Sequence, residues 1–354
     1  MESNNIIFSI LLLFLSFFLN KYILKIFNES KYNFLVDADY KKPQAFHQTK
    51  TYRLGGTTIF ITLSFIFFYI YFINNIYFAE YVWFCVPFFL LGLLDDFKIK
   101  ILPKFRLGAM ILLLIFLVIS NGIYLENSGL EFLNYLLKID IFALIFVVLC
   151  FLFIINGSNL IDGFNGLLAI HAIIILSILF FINLFNANLE FSTILFFIIL
   201  TLLIFLKFNF PKAQIFLGDS GAYLIGTLIA LSVIKTTIIN LSISPFFFAI
   251  ILIYLFFEVF FSFFRKIFFS KQSPLLPDGK HLHMLLYRFF LKKNKSPIKS
   301  NYSVAIYINL IFLITMLPAI IFMENGLFCR YYFFVLLFIY IYFYKTLYKK
   351  VKLK

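Results

Sequence analysis

A chain of 354 residues that is 63% hydrophobic and only 13% charged has too little polar surface to cover a water-soluble globule. Its net charge of +14 comes from basic residues clustered on one side of a series of apolar runs, which is the pattern of membrane topology and not of a nucleic-acid partner. The expected fold is all-α, a polytopic integral membrane protein with one transmembrane domain over residues 1–354.

A bilayer core of roughly 30 Å takes about 20 helical residues to cross. Eleven apolar runs of about that length follow in order, at 6–24, 57–73, 76–94, 107–124, 139–155, 167–184, 191–206, 223–239, 246–264, 305–322 and 331–344. The first is preceded by Glu2 instead of a basic segment and has no small-residue cleavage site, so it is expected to stay as the first span. With the N-terminus outside and the spans alternating, 27 of the 30 Lys and Arg fall in or at the ends of cytoplasmic segments, and only Lys138, Lys235 and Arg330 remain at the outer side. The C-terminus is then cytoplasmic, and loops at about 25–56, 95–106, 156–166, 207–222 and 265–304 form one active-site face. Cys85, Cys150 and Cys329 lie in or beside apolar runs without metal-ligand spacing, and packing is their expected role.

In so apolar a chain the polar islands stand out, and they gather at the cytoplasmic ends of spans. Before the second span, PQAFHQTKTYRLGG carries His47, Arg53 and the Gly55-Gly56 pair. LGLLDDFKIK closes the third with Asp95 and Asp96, followed by Lys98 and Lys100; adjacent carboxylates at a membrane boundary are best tolerated beside a cation or a basic partner. Between spans five and six, NGSNLIDGFNGL repeats Asn156, Asn159 and Asp162 every third residue, which points them to one side of a helical or turn-like backbone. Gly157, Gly163 and Gly166 there permit close backbone approach or positive φ. FPKAQIFLGDSG brings Lys212 and a glycine-flanked Asp219, read as a tight turn opening span eight, where the Asp can reach a metal and the neighbouring amides can bind phosphate. Arg265 ends span nine, and PDGKHLHMLLYR then groups Asp278, Lys280, His281, His283 and Arg288. His171, inside span six, reads as a helix-helix hydrogen-bond partner, whereas Glu258, inside span nine, stays open between structure and function.

Singly, each island has an ordinary reading as a helix end, a turn or a solvated loop. Jointly they argue for chemistry at one face. A secondary transporter is the rival from another class, but it places its binding groups near the midplane on broken helices.

In this order and at these span ends, the Asp-Asp pair, the NxxNxxDGxxGL and FxGDxG motifs and the cytoplasmic His motif resemble the MraY/WecA family of polyprenyl-phosphate sugar-1-phosphate transferases. The resemblance runs from about Asp37 to Arg288, and HLHM with the preceding FFEVFFSFFRK is similar to the WecA-like bacterial branch. It implies that a polyprenyl phosphate such as undecaprenyl phosphate attacks the β-phosphorus of a UDP-sugar and releases UMP. UDP-N-acetylglucosamine or another UDP-N-acetylhexosamine is the implied donor, and the lipid-linked product would start a surface glycan such as a lipopolysaccharide O-antigen, a capsule or a teichoic-acid linkage. The alternative within the family is the phospho-N-acetylmuramoyl-pentapeptide transferase of peptidoglycan synthesis. The resemblance further implies a bacterial inner-membrane enzyme that requires Mg²⁺, with Mn²⁺ able to replace it, and a homodimer is compatible with it. Asp219 becomes the first metal ligand, with Asp96 sharing or orienting the cation; Asp95 is the candidate base, with Asp96, Asp162, His281 and His283 also catalytic candidates. Asn156, Asn159, Lys98, Lys212, Arg53, Arg265 and His47 are substrate-binding candidates. Met284 and Asn165 stand where relatives often have His and Asp, so neither receives a catalytic role.

Overall fold

The computed structural model describes residues 3–29, 36–37, 51–99, 101–270, 273, 278–293 and 295–352. Each apolar run becomes a helix, because in a bilayer every backbone N–H and C=O must be satisfied within the segment. In chain order the elements are α1 (Ser3–Glu29), β1 (Val36–Asp37), β2 (Thr51–Arg53), α2 (Gly55–Ile73), α3 (Ala79–Asp96), α4 (Pro103–Asn121), α5 (Glu131–Leu137), α6 (Asp140–Ile161), α7 (Leu167–Phe185) and α8 (Leu189–Asn209). There follow β3 (Ile215–Phe216), α9 (Gly218–Ile239), α10 (Pro245–Ile251), α11 (Ile253–Phe264), which runs on as a π-helical turn over Arg265–Ser270, α12 (Leu282–Lys292), α13 (Pro297–Ile321) and α14 (Gly326–Lys352).

Nine or ten of the eleven expected spans are borne out. Among the described residues nine helices are long and apolar enough to cross a membrane, and the pair α10 and α11, bent by 73° at Leu252, makes up to ten. The eleventh expected span is α3, whose 18 residues carry Glu80, Asp95 and Asp96; its length suffices for about 27 Å, but its ends are charged. The all-α expectation also missed a small sheet in which β1 pairs antiparallel with β2 and β2 runs parallel to β3. Its strands are only two or three residues long, too short to show a periodicity. Outward faces carry Phe105, Leu112, Phe116, Phe338 and Tyr342, each more than 60% exposed, as a lipid-facing surface requires. The protein is an integral membrane protein.

Nearly every residue of α9 is buried, and this helix packs against α2, α3, α6 and α7. Without a hydrophobic drive between helices inside lipid, such packing depends on small residues that let backbones touch. A Cβ on Gly92 of α3 would lie 2.5 Å from the backbone of Ser220, one on Gly56 of α2 would lie 2.3 Å from the nitrogen of Gly221, and one on Gly226 would lie 2.8 Å from Ile155 in α6. Gly92→Ala is therefore expected to push α3 off α9 and to destabilise the protein by about 1–3 kcal/mol, seen as a lower unfolding temperature in detergent. An unchanged midpoint would contradict this account of the contact.

At the far ends of the same helices, Lys235 of α9 pairs with Glu80 of α3, and its ammonium lies 4.1 Å from the centre of the Phe78 ring. His171 takes the expected helix-helix role, with Nδ1 3.0 Å from Asn309 Oδ1 on α13. Cys85 and Cys329 are buried, Cys150 is half-buried, and all three are unpaired thiols.

Candidate active site

The sheet places the first elements of the site. Arg53 pairs in register with Phe216, and Gly56 N–H donates to the Leu217 carbonyl at 2.8 Å, so the chain entering α2 is stitched alongside the chain entering α9. Gly218 has φ +74° and an Asp96 carboxylate oxygen 2.5 Å from where its Cβ would be; only glycine fits both conditions. The next residues begin α9, and Asp96 caps it from the end of α3. Its Oδ1 accepts from the Asp219 amide at 2.9 Å, and its Oδ2 accepts from the Ser220 amide at 3.0 Å and the Ser220 hydroxyl at 2.6 Å. A carboxylate there satisfies two orphan donors and opposes the positive end of the helix. The sequence-based reading that these amides are open to phosphate is corrected: Asp96 occupies them.

Asp96 is 1% exposed, whereas the Asp219 side chain is 27% exposed. The Arg53 guanidinium lies 3.9 Å from Asp96 Oδ1 and 3.8 Å from Asp219 Oδ2. Asp162, at the C-cap of α6, completes the acidic group. Desolvation first, then the charge of Asp219, pushes its carboxyl well above the usual carboxylate range, against the pull of Arg53. Beside it Asp95 binds Arg106 at 2.8 Å, the guanidinium carbon of Arg106 lies 6.0 Å from the centre of the Tyr223 ring, and the Tyr223 hydroxyl accepts from Asn159 Nδ2 at 3.4 Å.

A second group forms on the other side of the α6–α7 loop. Glu258 accepts from His281 Nδ1 at 2.9 Å, Arg265 binds Asp278 at 2.7 Å, and His283 Nδ1 lies 3.2 Å from the Tyr254 hydroxyl. Burial lowers the His283 pKa to about 4, so its imidazole is neutral. Burial also acts to raise Asp278, but the hydrogen bond from Arg265 and its charge hold the carboxyl below its ordinary range. Phe164 joins the two groups: it sits two residues beyond Asp162, and its ring centre is 5.6 Å from that of His283. Gly157 permits the crossing, since a Cβ there would lie 2.3 Å from the Leu255 carbonyl oxygen, and Gly166 has φ +76°; Gly163 meets nothing.

Of the residues singled out in the sequence, Asp95, Asp96, Asp162, Asp219, Arg53 and Asn159 meet in the first group and Arg265, His281 and His283 in the second. Asn156 turns its amide back to the Leu152 carbonyl of its own helix at 2.8 Å, and Lys98 and Lys212 have exposed side chains. His47 lies outside the described residues. The Asn165 amide nitrogen of the side chain donates to the Pro211 carbonyl at 3.0 Å, a loop contact. Arg106 and Tyr223 were missed. Arg106 carried a signal, a basic residue in the same loop as Asp95 and just after Pro103, but Tyr223 carried none.

Among the described residues no three His, Cys, Asp or Glu side chains converge to hold a metal by themselves. That donor set still suits Mg²⁺, which is commonly held by one or two carboxylates with phosphate oxygens and waters filling its shell. Asp219 is a part-exposed oxygen donor of the group, as is Asp162, while both Asp96 oxygens are engaged in capping.

The profile of glycosyl transferase family 4 matches residues 78–237, which hold Asp95, Asp96, Asp162 and Asp219. An undecaprenyl-phosphate alpha-N-acetylglucosaminyl 1-phosphate transferase of Thermotoga maritima is 30% identical over 279 residues, covering 77% of this chain and 79% of that protein. The chain belongs to this family. Within glycosyl transferase family 4, the MraY/WecA family, a probable undecaprenyl-phosphate N-acetylglucosaminyl 1-phosphate transferase of Bacillus subtilis is 30% identical over 214 residues, 58% of this chain and 57% of that protein. A phospho-N-acetylmuramoyl-pentapeptide-transferase of Clostridium beijerinckii is 33% identical over 150 residues, but these are only 39% of this chain and 46% of that protein. A phosphosugar transferase of this family needs its charged groups at the membrane surface, where water-soluble donor and lipid phosphate meet. The first group lies at the ends of α3, α6 and α9 and not at their middles, unlike the binding groups of a transporter.

Proposed function

We propose that this protein transfers N-acetylglucosamine-1-phosphate, or a closely similar N-acetylhexosamine-1-phosphate, from a UDP-sugar to undecaprenyl phosphate at the cytoplasmic face of a bacterial inner membrane. The observation that carries the reading is the convergence of Asp95, Asp162 and Asp219 with Arg53 and Arg106 at one end of the bundle. It is supported by the extent of the Thermotoga maritima match, which covers 77% of this chain, against 39% and 54% for two peptidoglycan-type relatives.

In the proposed reaction an oxygen of the lipid phosphate forms a bond to the β-phosphorus of the donor. The bond from that phosphorus to the oxygen bridging to the α-phosphate breaks, and its electron pair leaves with UMP. The nucleophile is already largely anionic near neutral pH, so the protein's task is to bring anions together and offset their charge. Mg²⁺ bound at Asp219 would supply divalent charge to the donor phosphates. Arg53 and Arg106 add fixed positive charge, each tethered by a carboxylate so that it keeps its place when no phosphate is bound. Asp95, bound to Arg106, lies where a lipid phosphate can be received, and Asp162 and Asn159 line the nucleotide side. Arg265, His281 and His283 face the sugar and its phosphate. The 27 basic residues of the cytoplasmic side give the same face an attractive potential for nucleotide and anionic lipid.

Purified protein given undecaprenyl phosphate and UDP-N-acetylglucosamine labelled in the β-phosphate is expected to move label into a solvent-extractable lipid. UDP-N-acetylmuramoyl-pentapeptide should compete poorly. Efficient label transfer from the pentapeptide donor alone would overturn the donor assignment.

A further inference from the structure

Glu258 is 1% exposed and accepts three hydrogen bonds, from His281 Nδ1 at 2.9 Å, the Leu282 amide at 3.3 Å and the Tyr340 hydroxyl at 3.1 Å. A carboxylate so placed is a fixed acceptor, and the imidazole facing it must present Nδ1 as a donor. Nε2 is then left on the opposite edge of the ring. It is buried and has no hydrogen-bond partner; the nearest carboxylate oxygen, Asp278 Oδ1, is 3.5 Å away, and the other oxygen of Asp278 is engaged by Arg265. His283 repeats the arrangement, with Nδ1 3.2 Å from the Tyr254 hydroxyl and 3.9 Å from Glu258, and with a buried Nε2 that has no partner. The two rings are parallel to within 8° at 5.4 Å, so their Nε2 edges face away from Glu258 together. Buried polar atoms without partners call for a ligand, and the Nε2 of an Nδ1–H imidazole, which carries the ring's lone pair, fits a hydrogen-bond donor of that ligand.

The loop carrying these rings is gripped a second time, where the Tyr344 hydroxyl donates to the Lys280 carbonyl at 2.9 Å. Tyr340 and Tyr344 lie one turn apart on α14, a helix with no recognisable motif, beyond the part of the chain that the family profile matches.

We propose that Glu258, Tyr340 and Tyr344 are positioning residues that fix the Nδ1–H tautomer and the orientation of His281, and so aim the Nε2 lone pair at a hydroxyl or amide N–H donor of the sugar. The identity of that ligand rests on the transferase reading; the tautomer rests on the geometry alone. The test uses the full chain in nanodiscs with ¹⁵N-labelled histidine, which gives few signals because the protein has four histidines. His281 is expected to carry its proton on Nδ1, and Glu258→Gln, which cannot accept from all three donors, should shift that signal and lower kcat/KM for the UDP-sugar about 10–100-fold. Tyr340→Phe combined with Tyr344→Phe should lower it about tenfold, and this pair carries the test if Glu258→Gln does not fold. A wild-type His281 protonated on Nε2 overturns the proposal, as does a folded Glu258→Gln with an unchanged His281 signal or an unchanged kcat/KM. If the wild type releases no UMP with any donor, the transferase reading fails by itself, and the response of the His281 signal to Glu258→Gln still decides whether Glu258 sets the tautomer.

Discussion

Asp219→Asn is expected to lower UMP release by about a thousandfold or more while leaving the unfolding temperature within a few degrees of wild type. The side chain of Asp219 is part-exposed and faces Arg53 at 3.8 Å, so the amide fits the same space and disturbs little packing. What it removes is the charge that would hold a hard divalent cation against the donor phosphates. Activity measured beside thermal unfolding in the same detergent separates the two effects. Near-wild-type turnover would remove Asp219 from the cation site.

The second large effect is expected from Asp96→Asn, and it should look different. Both oxygens of Asp96 are committed as acceptors to the start of α9, and three donors converge on them. An Asn side chain must turn its amide NH₂ toward one of those donors, leaving a buried mismatch that costs about 2–4 kcal/mol. Because the Asp219 amide is one of the donors, the first turn of α9 shifts with it, and a displacement of about 1 Å is enough to cost about a hundredfold in rate. The variant should therefore unfold at a distinctly lower temperature and lose activity as well. Loss of activity with an unchanged unfolding temperature would instead place Asp96 in the chemistry and not in the support of Asp219.

This contrast between adjacent carboxylates was not legible in the sequence. The pair Asp95-Asp96 announces a charged helix end, but which oxygen meets which donor depends on α9, 123 positions later in the chain. The spans themselves were legible, because a run of about 20 apolar residues has few other solutions in a bilayer. Where charge and apolarity mix, the sequence was less informative: α3 carries three carboxylates, and the bend at Leu252 divides a run whose one charged residue, Glu258, lies six positions further on. Helix α12 did carry a signal, with Leu282, Leu285, Leu286, Phe289 and Phe290 at helical spacing, although its neighbours made it read as a soluble loop. Glu258 could not be assigned until His281 was placed against it. Tyr340 and Tyr344 look like two more aromatic residues in an aromatic-rich helix, and only the folded chain shows their hydroxyls holding the histidine loop.

The most direct test of the central claim is UMP release by the purified, detergent-solubilised protein given UDP-N-acetylglucosamine, with and without undecaprenyl phosphate, in Mg²⁺ and in EDTA. The account predicts UMP only when lipid phosphate and metal are both present. UMP released equally without lipid phosphate, or no UMP from folded protein with any UDP-sugar, would contradict it.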